Sequence, residues 1–350
     1  MMSIAKWEMK KYLKRPIFWI GLLLVIFGIF QELEPYLGNW EIVSQQNTEK
    51  SPGDVDITDG YVPSDEKRRR QTWEDAIQAS LIADFQMTET DAEAVITEMK
   101  KMSIEEACEY LEEKYHYLDA MYLYEESAYH QGTEEEIKEY IGSKLEEHSF
   151  SYYFSRKFAD FTGLFMAFFA TVLLATLFLQ DMRRNTYELL HTKPFHAIQY
   201  VTGKAAGGFL VCLTALAILN LFFWGVCLIE TRGMGFEVQL LDFIRATCLY
   251  ILPNMLMIVC VYELVSLVFK NPLPAVPLLV LYMVYSNMGS RNAKGIYGYY
   301  GRPLAIMVRF PGLFFDTAPP PMALQNQCFL ILAAAIIICF SVQLWKRRRL

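Results

Sequence analysis

The chain has 350 residues, of which 53% are hydrophobic, and its formal net charge is −7 at pH 7. Residues 31–157 hold 30 Asp and Glu against 12 Lys and Arg, whereas the remaining residues hold 9 against 20. The acidic balance therefore belongs to one segment, and the rest indicates a membrane protein with basic edges; no nucleic-acid partner is expected.

The first helix is predicted over residues 3–15, within a cytoplasmic amphipathic segment 1–16. At about 100° per residue its apolar and basic side chains separate onto two faces. Such a helix can lie in the headgroup plane of the lipid bilayer, with its lysines toward anionic lipid. The alternative is basic charge that merely flanks a span. The apolar face has Ala5, Met9, Tyr12 and Leu13, and the basic face has Lys6, Lys10, Lys11 and Lys14.

The first span is predicted over residues 17–37. Its uninterrupted apolar run, 17–30, would be about 21 Å long as a helix, so the crossing of roughly 30 Å needs the following residues. A cleaved signal peptide is the alternative, because lysines precede the run. No small-residue cleavage site follows at Gln31-Glu32-Leu33, and this favours a retained anchor.

Residues 38–157 are predicted to form a helical extracytoplasmic domain. An irregular start is followed by N-cap patterns at Ser64-Asp65-Glu66, Thr88, Ser103 and Thr133. The middle helix is predicted to run from Ile104 to Tyr129, with a packing seam at alternating spacings of four and three. The tyrosines and acidic residues of this domain could form a surface that binds a ligand. The simpler alternative is that the tyrosines belong to the core and the acidic residues to a solvated face.

Five further spans are predicted within residues 158–345, so the fold class is an all-α polytopic membrane protein with six transmembrane helices. The basic bias of the short loops places both termini and the basic tail 346–350 in the cytoplasm and residues 38–157 outside. The fifth span is short and has prolines near its start. The five spans are Phe158–Leu179, Ala205–Ile229, Thr247–Phe269, Leu273–Met288 and Ala323–Trp345.

Few polar side chains occur inside these spans. Glu263 is the one carboxylate well inside a span, and a charge there costs roughly 2.5–3.5 kcal/mol on insertion scales. We therefore expect Glu263 to face a partner helix, a wet cavity or Lys270. Asn220 and Asn254 are weaker signals of the same kind. A functional polar site and a structural role both remain open for these residues.

Motifs for chemistry are missing from the sequence. It contains no G-x-x-x-x-G-K-[ST], no H-E-x-x-H and no G-x-S-x-G, so we predict neither ATP hydrolysis nor another enzymatic activity for this chain. The three histidines of the acidic segment, His116, His130 and His148, lack the clustering of a metal site.

The most specific motif lies between the second and third spans, in the loop 180–204. It reads Arg184, Asn185-Thr186, Glu188-Leu189-Leu190 and Pro194, and it ends with Gly203-Lys204 before the next span. In this pattern and position the chain resembles the permease subunits of type-2 ABC exporters. It departs from the family pattern at Asn185, where glycine is usual, and Asn also tolerates turn geometry.

The resemblance implies an exporter permease that docks to a separate ABC ATPase subunit of the bacterial plasma membrane. The ATPase would bind ATP and Mg, and this chain would bind no cofactor. The permease would pair with a second copy or with a sister permease. Short re-entrant helices are expected in the outer loop 289–322. The residues expected to contact the ATPase are Arg184, Tyr187, Glu188, Leu189, Leu190, Lys193, Pro194 and Phe195.

Two other functions compete with transport. A membrane receptor or sensor would use the acidic outer domain for a ligand and the inner loop for a signalling partner. A membrane-embedded enzyme would need a polar cluster within the spans, and only Glu263 offers itself. For the transport function the substrate stays open among a peptide, an antimicrobial, a lipid and an ion.

Overall fold

The computed structural model describes residues 2–37, 57–179, 196–291, 297–298 and 301–347. The chain divides into two compact units, a membrane unit of residues 1–38 and 145–350 and an insert unit of residues 39–144. The helices of the membrane unit are α1 (Met2–Leu13), α2 (Pro16–Leu33), α8 (Phe150–Leu179), α9 (Ala197–Glu230), α10 (Leu240–Tyr250), α11 (Leu252–Phe269), α12 (Ala275–Asn287) and α13 (Ala323–Arg347).

The all-α polytopic fold predicted from the sequence is confirmed. Within the described residues, five helical segments are long and apolar enough to cross a membrane, and a sixth apolar helix is shorter. The long segments are Pro16–Leu37, Phe150–Ala175, Ala197–Glu230, Leu240–Phe269 and Ala323–Arg347.

The fourth long segment consists of two helices. α10 ends at Tyr250 and α11 begins at Leu252, with Pro253 in its first turn. Because proline has no backbone N–H to donate, it is tolerated at a helix start and interrupts a helix interior. The predicted span began only at Thr247 and therefore missed residues 240–246 of α10.

The short helix α12 spans 13 residues. At the helical rise it measures about 20 Å, less than the roughly 30 Å of a hydrocarbon core. The hydroxyl groups of Tyr282 and Tyr285 donate to the carbonyl oxygens of Leu304 and Pro303, at 2.5 and 3.0 Å. α12 is therefore supported by the segment that follows it.

The prediction of re-entrant helices in the outer loop is wrong for residues 301–322, which contain no helix. Prolines at positions 303, 311 and 319–321 remove backbone donors and prevent a continuous helix.

Side chains of α8 hold this outer segment by hydrogen bonds to its backbone. Lys157 Nζ donates to Gly312 O at 2.7 Å, and Arg156 donates to Thr317 O. Asp160 accepts from Arg309 and from the backbone N–H of Phe310.

From residue 57 onward, where the structure describes it, the insert unit has five α-helices and a two-stranded antiparallel sheet. Tyr61 of β1 pairs with Gln131 of β2. The predicted N-caps are present. Ser103 and Glu106 form a reciprocal capping box, and the side chains of Asp65 and Thr88 accept backbone N–H groups. The elements are β1 (Tyr61–Pro63), α3 (Glu66–Ala83), α4 (Glu89–Met99), α5 (Ile104–Tyr115), α6 (Ala120–Glu126), β2 (Tyr129–Gln131) and α7 (Glu134–Glu147).

The single middle helix predicted from Ile104 to Tyr129 is divided into α5, α6 and β2. α5 ends where His116 adopts a left-handed backbone conformation with φ 57°, a conformation that terminates helices. The core of the insert unit forms around Trp73, which is fully buried and donates from Nε1 to Ala120 O at 2.7 Å. The break lets α6 turn back onto α3.

Candidate functional site

The N-terminal helix α1 packs closely on the start of α9. Its buried face has Ala5, Glu8 and Tyr12, spaced by three and four residues. A Cβ placed on Gly207 of α9 would lie only 2.9 Å from the Cβ of Glu8. A glycine at this position is therefore what allows the two backbones to approach.

Glu8 and Lys204 form an ion pair inside this contact. Lys204 Nζ donates to Glu8 Oε1 at 2.6 Å, and the side chains are 1% and 3% exposed. The second oxygen of Glu8, Oε2, lies 3.7 Å from Lys11 Nζ, which is nearer the surface. Because isolated charges are costly to bury, the pair explains how each can be accommodated.

Glu263 of α11 is a further buried ionisable side chain of the membrane unit. Its side chain is 2% exposed, and its Oε2 has no hydrogen-bond partner among the described residues. Glu263 lies one turn before Leu267 of α11, which packs in one buried cluster with Val201 of α9, one turn before Lys204. Of the three surroundings expected for Glu263, the structure provides a partner helix that carries a lysine. Lys270, the lysine considered from the sequence, caps the end of α11 in a left-handed conformation.

Aromatic stacking joins α9 to the end of α13 beside this ion pair. The rings of Tyr200 and Trp345 stack with centroids 4.1 Å apart. Ala197, Val201, Leu267 and Val342 complete the buried cluster. The first turns of α9 are therefore held against α1, α11 and α13 together.

The two asparagines singled out in the sequence do not join Glu263. Asn220 Nδ2 donates to Thr247 Oγ1 at 2.9 Å, and the Thr247 hydroxyl donates back to Asn220 Oδ1 at 3.0 Å. Asn220 lies sixteen residues after Lys204 on one helix, a rise of about 24 Å. Asn254 is fully buried, and its Nδ2 donates to Tyr250 O at 2.6 Å. Asn220 thus joins α9 to α10, and Asn254 binds the turn before it, both at other depths of the bundle.

A sequence model of the ABC-2 family transporter proteins matches residues 2–301. The chain belongs to this family. Neither a curated protein nor a solved structure matches it significantly. ABC-2 permeases are transport subunits of membranes, are generally not catalytic themselves and generally work with an ABC ATPase. The match and the apolar helices make the chain a multi-pass membrane transport protein.

The predicted ATPase contact of this ABC-2 protein, Arg184 and residues 187–195, lies outside the described residues. The structure describes both flanks, since α8 ends at Leu179 and α9 begins at Ala197. Of the loop motif, Gly203 and Lys204 are described, and both are buried in α9. The motif therefore ends inside the packed contact with α1.

Glu8 is the site residue that the sequence reasoning missed. The helical spacing of Ala5, Glu8 and Tyr12 places the carboxylate on the apolar face rather than among the lysines. A buried acid needs a cation to pair with, and on this face of α1 that cation must come from another element. The position of Glu8 on the apolar face was therefore the feature of the sequence that could have identified it. Lys204 was assigned to the loop motif alone, although it lies within the apolar start of a span.

Proposed function

We propose that this ABC-2 protein is the transmembrane permease subunit of an ABC exporter. A separate ATPase subunit binds ATP and Mg, and its cycle drives a substrate outward through the permease. Both termini lie in the cytoplasm, and residues 38–157 lie outside. The working complex contains a second permease chain, either another copy or a sister subunit. Peptide, antimicrobial, lipid and ion remain the substrate classes under consideration.

The proposal is carried by one observation beyond family membership. The helix that continues from the predicted ATPase loop begins where α1, α9, α11 and α13 meet. Gly207, the Glu8–Lys204 pair and the Tyr200–Trp345 stack hold the start of α9. A displacement of the loop therefore reaches several helices at once.

The mechanism follows from this connection. The ATPase closes on ATP and pushes the loop between α8 and α9. Because packed helices shift as rigid elements rather than deform, the push becomes a movement of α9 with its neighbours. The loop residues have separate roles. Tyr187, Leu190 and Phe195 supply apolar contact with the ATPase, Arg184 and Lys193 keep the loop at the inner surface, and Pro194 stiffens the turn.

Affinity purification from native membranes tests the proposal. A tag after Leu350 should retain a P-loop ATPase together with the permease. The loop variant Leu190→Asp should lose that ATPase while keeping wild-type expression and size-exclusion behaviour. An abundant ATPase-free complex with a signalling protein would contradict the proposal and favour a receptor.

A further inference from the structure

The insert unit has an open groove of about 510 Å³ beside the C-terminal half of α3, which we name the insert groove. The volume lies within the range of ligand sites, about 300–1,000 Å³. Ser80 and Asp84 line it from the side of α3, and the segment from the end of α5 into α6 lines it from the other side with Tyr117, Asp119, Tyr122 and Leu123. The lining residues thus include two carboxylates and two aromatic rings, and none of them is a lysine or an arginine.

Large apolar side chains are exposed at and beside the insert groove. Among the described residues 57–144, the exposed large apolar side chains are Phe85, Leu118 and Tyr122, at 40, 74 and 58%. Tyr122 lines the groove, and Leu118 lies in the chain between two lining residues. The ring of Phe85 packs on that of Tyr117 with centroids 5.4 Å apart. One exposed apolar residue is ordinary, but a group of them with a polar rim is typical of an interaction surface.

The charge at this surface is negative. Residues 57–144 hold 22 Asp and Glu against 9 Lys and Arg. Asp84 directly follows the last turn of α3, which has no basic residue and where the helix dipole is negative. Its carboxylate accepts from the hydroxyl of Ser80 at 2.6 Å and is thereby held at the groove. Asp119 precedes α6 without capping it through its side chain. Both carboxylates therefore place negative charge beside exposed apolar surface.

We propose that the insert groove binds a cationic amphipathic peptide. Lysine or arginine side chains of the peptide pair with Asp84 and Asp119, and its apolar side chains pack on Tyr117, Tyr122 and Leu123. Charge complementarity selects a cationic peptide, because an anionic one would bring like charges together. Binding is a property of the insert unit and needs no ATPase. Only the side of the membrane from which the peptide arrives rests on the proposed function.

The test measures the affinity of the full-length permease for a labelled hexapeptide in which lysine and leucine alternate. The permease is held in nanodiscs of phosphatidylcholine, because a neutral bilayer attracts basic peptides less than an anionic one. Empty nanodiscs give the background, and fluorescence anisotropy gives the dissociation constant. Peptides with glutamate in place of lysine, or serine in place of leucine, should bind at least about tenfold more weakly. Each of them lacks one of the two complementary features.

Variants of the groove separate its two contributions. Asp84→Asn combined with Asp119→Asn should weaken binding of the lysine–leucine peptide about fivefold, because two exposed ion pairs are lost. Tyr122→Ala should weaken it about tenfold, because an aromatic contact is removed. The matched control is Glu135→Gln combined with Glu139→Gln. It removes the same charge from exposed positions of α7 that do not line the groove, and it should leave the affinity unchanged.

Two results would overturn the proposal. Equal weakening by the groove and the control double variants would mean that the peptide follows only the overall charge of the insert unit. Wild-type affinity in Tyr122→Ala would exclude the apolar contact. If Tyr122→Ala then also shifted the solubilised permease to a smaller species in size-exclusion chromatography, the occupant would be a second copy of the chain. Retention of the ATPase is measured separately, so failure here leaves the proposed function standing.

Discussion

Lys204 Nζ lies 2.6 Å from Glu8 Oε1, although the two residues are 196 positions apart in the chain. One belongs to the N-terminal helix and the other to the helix that follows the predicted ATPase loop. The pair therefore ties the beginning of the chain to the element through which we propose that ATPase motion enters the membrane unit.

The first prediction concerns the cost of breaking this pair. Lys204→Met should destabilise the permease by about 3–5 kcal/mol, because the buried carboxylate of Glu8 loses its buried cation. Adding Glu8→Gln should recover part of that loss, since the uncompensated charge of Glu8 is then removed. Thermal unfolding of the detergent-solubilised protein, followed by tryptophan fluorescence, measures both changes.

Lys270→Met serves as the control for this pair of variants, because that lysine is exposed at the end of α11. It should change the thermal midpoint little. Equal midpoints for Lys204→Met and Lys270→Met would show that the buried pair contributes nothing to stability.

The second prediction concerns topology. A cysteine at Glu134, which is 79% exposed in the insert unit, should react in intact cells with a membrane-impermeant maleimide. A cysteine at Leu350 should react only after lysis. The unsubstituted chain gives the background from its seven native cysteines. The reverse labelling pattern would place the acidic insertion in the cytoplasm and rule out the assigned orientation.

The third prediction is that residues 38–150 fold without the membrane unit. Their core closes around Trp73, Ile77, Leu81, Met99 and Leu111, all fully buried. The fragment should give a helical circular-dichroism spectrum and a cooperative melt. Trp73→Ala should lose about 3–5 kcal/mol of unfolding free energy, whereas Leu118→Ala, at a side chain that is 74% exposed, should change it by less than about 0.5 kcal/mol. A coil spectrum for the unsubstituted fragment would refute independent folding.

The fourth prediction concerns pH. Burial lowers the pKa of His130 below its ordinary value of 6.5, with a further contribution from the charge of Arg68. The folded insert therefore binds a proton less readily than the unfolded chain, and this part of its stability is lost as pH falls below the unfolded pKa. The denaturant midpoint of the fragment should drop between about pH 7.5 and 5.5.

Replacing the ionisable ring tests that assignment. His130→Asn should remove most of the pH dependence in this window. Glu136, whose pKa is lowered chiefly by the backbone N–H of Thr133, loses its contribution only at lower pH. An unchanged slope in His130→Asn would mean that another group titrates.

The sequence predicted those features that depend on local pattern. Hydrophobic runs long enough to cross a bilayer predicted the membrane spans, and N-cap residues such as Ser103 predicted where helices begin. It did not predict the left-handed turn at His116, because no glycine or proline marks it. It did not predict the irregular outer segment either, although the prolines that prevent a helix there are visible in the chain.

The site was harder to predict because its residues are distant in sequence. Glu263 was identified as an intramembrane acid, but the sequence did not show that its helix packs against the start of α9. Glu8 was hidden among lysines, and only the packing of α1 on Gly207 separates it from them. Which side chains meet between two helices depends on the angle and position at which the helices cross. A single sequence does not contain that information.

The proposed coupling is tested most directly by ATP hydrolysis of the permease reconstituted with the ATPase that it retains. Wild-type permease should stimulate hydrolysis, and Leu190→Asp should abolish stimulation, because a charge enters an apolar contact that commonly contributes about 2 kcal/mol or more. Glu188→Lys should weaken it by reversing a charge in the same loop. Gln199→Asp, an acid added at an exposed position of the first turn of α9, should leave stimulation intact. Wild-type stimulation by both Leu190→Asp and Glu188→Lys would contradict the account.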